Sequence, residues 1–97
     1  MRIISKKTLR DFWEKYPDAA VPLQTWCRDV EQSTWNSPAE IKEIYHNASI
    51  VANNRVVFNI KGNHYRLVVV VLYQHEVVFI RFVGTHEEYD RIDVTTI

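Results

Sequence analysis

The chain has 97 residues, 46% hydrophobic and 25% charged, with a formal net charge of zero. That is the make-up of one ordinary globular domain, residues 1–97, with a single modest core and no bias toward indiscriminate nucleic-acid binding. One cysteine, Cys27, excludes an internal disulfide, and no Cys/His spacing resembles a zinc site. The most apolar run, Leu67–Tyr73, is too short to cross a bilayer, and charge interrupts the amino-terminal stretch that would have to be a signal peptide. The expected location is therefore the cytoplasm, with no membrane partner.

In chain order, Arg2–Ile4 can form a short strand, and Ser5 reads as the N-cap of a helix to about Lys15 carrying Leu9, Phe12 and Trp13 at helical spacing. Pro17 ends that helix or begins the next. A second helix is expected from Asp18 to about Ser33, with Val21, Leu23, Trp26, Cys27 and Val30 as its apolar stripe. Ser37-Pro38-Ala39-Glu40 signals the start of a short third helix bearing Ile41, Ile44 and Tyr45. The tryptophans all lie in this helical part and read as packing residues.

Arg55–Ile60, Tyr65–Leu72 and Val77–Val83 follow as strands rich in Val, Ile, Phe and Tyr. Lys61–His64 is the first hairpin loop, with Gly62 and Asn63 suited to positive φ. The second loop lies in Tyr73–Glu76, and its length decides whether Arg66 and Arg81 share a face. A four-residue loop pairs Leu72 with Val77, sets Val83 beside Arg66 and Arg81 beside Val68, and keeps the opposite face apolar. Asn59, Lys61, Arg66 and Arg81 then lie on one face, and Phe58, Ile60, Leu67, Val69, Val71, Ile80 and Phe82 on the other. Helices should cover the apolar face.

Charge follows this division. Residues 1–50 are balanced, whereas residues 51–86 carry Arg55, Lys61, Arg66 and Arg81 against Glu76 alone. A local basic patch on a neutral protein fits a focused phosphate site. The third strand leads into Gly84, Thr85 and His86, followed by Glu87, Glu88, Tyr89 and Asp90. Cleavage of RNA by its own 2′-hydroxyl needs a base, cations over the phosphate and an acid for the departing oxygen. Arginine forks, a histidine and a tyrosine are suited to those tasks. The plain alternative is a solvated sheet face that resists edge aggregation. His46, His64 and His75 read as a helix end and two hairpin-loop residues.

The segments IISKKTLRDFWEKYPDA, FNIKGNHYRLVVVV and VVFIRFVGTHEEYD resemble, in this order, the HigB family of bacterial toxins within the RelE-like ribonuclease superfamily. The likeness runs from about Arg2 to Asp90 and is most specific at NIKGN-xx-R and THEEYD. It implies an α+β RelE-like fold in β-α-α-(α)-β-β-β order, with helices packed on one face of an antiparallel sheet and the active site on the other. It also implies a toxin of a type II toxin–antitoxin system that cuts messenger RNA, commonly in the ribosomal A site. No metal or cofactor is expected, since no carboxylate cluster on the cationic face could hold a catalytic metal. The implied partner is a HigA-like helix-turn-helix antitoxin encoded nearby, with operator DNA bound only through the toxin–antitoxin complex.

Position by position, the resemblance gives Asn59, Lys61, Asn63 and Arg66 the binding and polarising of the RNA backbone. Arg81 would stabilise the pentavalent phosphate, His86 would transfer a proton, Tyr89 would support it, and Asp90 would orient His86 or Arg81. Two rivals remain: a RelE-like toxin with a non-RNA target such as DNA gyrase, and a non-catalytic RNA-binding domain. The first needs no histidine and tyrosine at the sheet terminus. The second would display aromatics among the cations, where this register leaves only Phe79.

Overall fold

The computed structural model describes all 97 residues as an α+β fold. Its elements are β1 (Arg2–Ile4), α1 (Lys6–Lys15), α2 (Ala20–Glu31), α3 (Pro38–Ile44), β2 (Ser49–Val51), β3 (Arg55–Ile60), β4 (Tyr65–Leu72), β5 (Val77–Thr85) and α4 (His86–Tyr89). The five strands form one sheet in the order β1-β5-β4-β3-β2, antiparallel except where β1 runs parallel to β5. β2 and α4 are additions to the expected order. Ser49–Val51 is too short to show a period of two.

The helices pack on one face, as the apolar pattern requires. Leu9 and Phe12 of α1 and Leu23, Trp26, Cys27 and Val30 of α2 share a core with Phe58, Leu67, Val69, Val71, Val78 and Ile80 of the sheet. Trp26 and Trp35 are buried in it and Trp13 packs against it, consistent with structural roles. Val21 and Ile44, expected on apolar stripes, are instead exposed. The helix starts also depart in detail. Ser5 sits at φ 74° and makes no side-chain cap, so α1 begins without the serine bond expected of it. At α3 the Glu40 carboxylate accepts from the Asn36 amide at 2.9 Å, while Ser37 makes no cap to the backbone.

The loop Tyr73–Glu76 is a four-residue connection, with Leu72 opposite Val77. Beyond it the expected register fails at one place. A bulge between Val68 and Val69 leaves Arg81 as an extra residue on β5, so Val68 faces Phe82, Leu67 faces Val83 and Arg66 faces Gly84. Phe82 thereby moves to the face of Arg66, and Val83 turns inward to pack on the core. Arg66 and Arg81 still share the face away from the helices, because Arg81 and Arg55 meet the same Ile97 main-chain oxygen there.

That face is only partly open. Val57 and Val68 are buried on it, outside the helix-side core. The carboxyl-terminal segment crosses it, with Asn53 Nδ2 donating to the Thr95 carbonyl at 3.1 Å and Arg55 Nη2 to the Ile97 oxygen at 2.5 Å. What stays uncovered is the end of the sheet at the first hairpin.

Gly84 shows how tightly the bulged strand is packed. A Cβ there would lie 2.5 Å from Cζ of Phe82, whose ring lies along the strand over the glycine. Gly84→Ala should therefore displace the ring and cost about 1–3 kcal/mol in denaturant unfolding, as overpacking does. Shortening the ring as well, in Gly84→Ala/Phe82→Leu, should recover part of that loss.

Candidate active site

The exposed end of the sheet is assembled from the β3–β4 turn, the start of β4, the end of β5 and α4. The turn is not built on Gly62 and Asn63 as expected: Lys61 at φ 51° and Gly62 at φ 62° take the left-handed conformation, and Asn63 does not. Lys61 pays for a conformation that disfavours side chains, and its contacts hold it there. Its amine lies 2.5 Å from Asp18 Oδ2, and Asp18 also accepts the Tyr65 hydroxyl. Tyr65 packs among Phe12 and Tyr16 on the helix side. Lys61 thus leaves the cationic face on which the strand period placed it and anchors the hairpin to the helical layer. The Lys61 and Tyr65 bonds hold the Asp18 carboxyl below its usual range, and the Asp18 carboxylate, with burial, pushes the Tyr65 hydroxyl up to about 12.

Asn59 and Arg66 are direct cross-strand partners. The Arg66 Nη1 donates to the carbonyls of Asn63 at 3.0 Å and Tyr65 at 3.3 Å, which turns the guanidinium toward the hairpin end. Its Nη2 and Nε have no protein partner and remain available to an anion. Arg81 spends only Nε, on the Ile97 oxygen at 3.2 Å. It lies near the Val68 level of β4, about 7 Å along the sheet from the Arg66 row at a rise of roughly 3.3 Å per residue. Phe82, which the uninterrupted register had assigned to the core, joins Phe79 as an aromatic side chain on this face.

His86 opens α4. Thr85 and Glu88 form a capping box: Thr85 Oγ1 accepts from the Glu88 amide at 3.2 Å, and Glu88 Oε1 accepts from the Thr85 amide at 2.8 Å. One turn on, Asp90 Oδ2 stands 3.2 Å from His86 Nδ1. Asp90, expected beside His86 or Arg81, contacts His86, while Arg81 bonds the Ile97 oxygen. Tyr89 is half-buried on the same short helix.

Asn63, His64, Thr85, His86 and Glu87 line one shallow hollow. His64 is the residue that loop position alone concealed. The signal lay in the register: with Gly84 opposite Arg66 and Thr85 opposite Tyr65, His64 falls opposite His86, whose amide donates to the His64 carbonyl at 3.2 Å. A reading without the bulge sets His64 beside Thr85 instead. Of the predicted residues, the structure gathers Asn59, Asn63, Arg66, His86 and Asp90 around this end, with Arg81 and Tyr89 at its margins. Lys61 alone turns away.

Comparison with known proteins bears directly on this arrangement. A family model described as HigB_toxin, RelE-like toxic component of a toxin–antitoxin system, matches residues 19–92. This chain belongs to the HigB toxin family. Among its relatives, the mRNA interferase toxin HigB of Escherichia coli strain K12 is 30% identical over 92 residues, covering 93% of this chain and 88% of the relative. The mRNA interferase HigB of Escherichia coli O6:H1 is 26% identical over 94 residues, covering 95% and 91%. By that description the family's members are toxic components of toxin–antitoxin systems.

The capping box also makes the site sensitive to acid. The Thr85 amide and hydroxyl hold the Glu88 carboxyl below its usual range. A carboxyl lowered on folding stabilises the fold above its unfolded value, near 4.5, and that contribution is lost as pH falls through the lower folded value. Glu88→Gln should keep an acceptor for the Thr85 amide and flatten this part of the thermal-stability profile. Glu88→Ala should lose on the order of 1 kcal/mol at pH 7, the usual worth of a cap.

Proposed function

We propose that this HigB-family chain is an endoribonuclease that cuts messenger RNA by attack of a ribose 2′-hydroxyl on the adjacent phosphodiester, without a metal or cofactor. The observation that carries the reading is the placement of Arg66 opposite Gly84, two residues before the His86–Asp90 pair, at the uncovered end of the sheet. Arg66 offers two unspent guanidinium nitrogens to the non-bridging oxygens, and Arg81 offers Nη1 and Nη2 from the neighbouring row. Asn59 and Asn63 would hold the flanking backbone, and His86, oriented through Nδ1 by Asp90, presents Nε2 for proton transfer. Tyr89 would donate a hydrogen bond from the next turn. Lys61 would reach RNA only by leaving Asp18, so in this proposal its part is to fix the hairpin. The family and its relatives named mRNA interferases support the RNA target over DNA gyrase.

The proposed setting is the bacterial cytoplasm, where the toxin inhibits translation by cutting messages in the ribosomal A site. A HigA-like helix-turn-helix antitoxin encoded nearby would restrain it, and only the complex would contact operator DNA. No helix is long and apolar enough to cross a membrane.

Cells induced for this chain alone should stop growing and accumulate new messenger RNA ends, and co-expressed antitoxin should prevent both. Continued growth with soluble protein present would count against the proposal. In a cleavage assay, with ribosomes where the wild type needs them, His86→Ala should lose roughly two to four decades of rate. Arg81→Ala should lose about 3–4 kcal/mol of transition-state stabilisation. His75→Ala, at the opposite end of the sheet, should match the wild type, and equal rates for the two histidine variants would remove His86 from the mechanism.

A further inference from the structure

The two histidines of the hollow are held at the same ring position by different acceptors. His64 Nδ1 lies 2.9 Å from the Lys61 carbonyl oxygen. A carbonyl can only accept, so the bond requires the proton on Nδ1 and leaves the Nε2 lone pair free. His86 Nδ1 instead faces the Asp90 carboxylate at 3.2 Å. With Nδ1 donating to that carboxylate, the proton His86 could transfer is one carried on Nε2. The two residues lie just beyond the Tyr65–Thr85 pair, joined by the bond from the His86 amide to the His64 carbonyl, and both line the same hollow.

We infer that His64 and His86 form an acid–base pair across this hollow, with His64 as the general base and His86 as the general acid of RNA cleavage. The inference rests on the ribonuclease reading above and assigns the base within that site. His64 Nε2 takes the proton of the 2′-hydroxyl as O2′ forms its bond to phosphorus. The bond from phosphorus to O5′ breaks, and O5′ receives the proton from His86 Nε2. The products are a 2′,3′-cyclic phosphate and a 5′-hydroxyl, with His64 left protonated and His86 neutral. One proton has moved between the rings through solvent exchange before the next turnover, and no other reactant is consumed. Arg66, beside the pair, covers the phosphate as it gains charge.

The charged groups around the hollow are Glu87, Glu88 and Asp90 from α4, Arg66 from β4 through its bond to Asn63, and Lys61 with Asp18 behind the turn.

The test compares wild type, His64→Asn, His64→Ala and His46→Ala in single-turnover cleavage across pH, with folding checked by thermal unfolding. Asparagine keeps a donor for the Lys61 carbonyl but cannot take a proton, so it separates the chemistry from the hairpin. His64→Asn should lose roughly two to four decades of rate. It should also lose the ascending limb of the pH profile, because that limb reports deprotonation of the base. Added imidazole should restore part of the rate of His64→Ala and none of that of the wild type. His46→Ala should be unchanged. A His64→Asn rate within about twofold of wild type, with both limbs of the profile retained, overturns the pairing while leaving the ribonuclease standing. Absence of cleavage by the wild type overturns the ribonuclease reading itself.

Discussion

One extra residue in β5 decides which side chains share a face with Arg66. The pleat sends alternate side chains to opposite faces, so an uninterrupted β5 that buried Val78 and Ile80 would also bury Phe82 and Gly84 and direct His86 toward the helices. The bulge at Arg81 inverts that parity for the rest of the strand. Phe82 and Gly84 come to the face of Arg66, and Val83 takes the inward place. The same extra residue leaves Arg81 exposed, beside the residues whose parity it changes. Packing on one side of the sheet and the proposed chemistry on the other are thus reconciled within one strand.

The two ends of this face are treated differently. Near Arg55, Val57 and Val68 the carboxyl-terminal segment lies across the strands, buries the valines and gives Arg55 and Arg81 a main-chain oxygen. At the other end the surface is left open, and its shape depends on a hairpin held from behind. Lys61, Asp18 and Tyr65 tie the turn to the helical layer, which fixes the carbonyls that aim Arg66 and orient His64. Placement of the polar groups is paid in a strained Lys61 backbone and in a tyrosine held protonated by its carboxylate neighbour. Such arrangement in advance is what makes charged groups effective in the transition state.

The layer structure was legible from the string because periodicity reports burial directly. Leu9, Phe12, Leu23, Trp26 and Val30 on the helices, and Phe58, Leu67, Val69 and Ile80 on the strands, all fell where their spacing put them. The Leu72–Val77 pairing was equally accessible, since only an even loop keeps the apolar sets together. The bulge was not. Both Val83 and Phe82 are apolar, so the pattern from Ile80 to Gly84 supports either parity, and only three-dimensional packing of the ring over Gly84 decides between them. Lys61 misled for a related reason: strand alternation was carried one residue past the strand, into a left-handed turn that sends the side chain to Asp18. His64 escaped notice because its place opposite His86 exists only in the bulged register. Residues recognisable by type and spacing were found, and those whose role depends on a tertiary contact were not.

The chemistry of the cut ends tests the account most directly. RNA cleaved by the purified toxin in the presence of EDTA, with magnesium-dependent ribosomes left out or the cleavage quenched into EDTA where they are needed, can be analysed for its termini. Attack by the 2′-hydroxyl predicts a 2′,3′-cyclic phosphate or its opened monophosphate on the upstream fragment and a free 5′-hydroxyl on the downstream one. A 3′-hydroxyl paired with a 5′-phosphate would mean that water, and not the ribose, is the nucleophile, and would contradict the roles given to Arg66, His64 and His86.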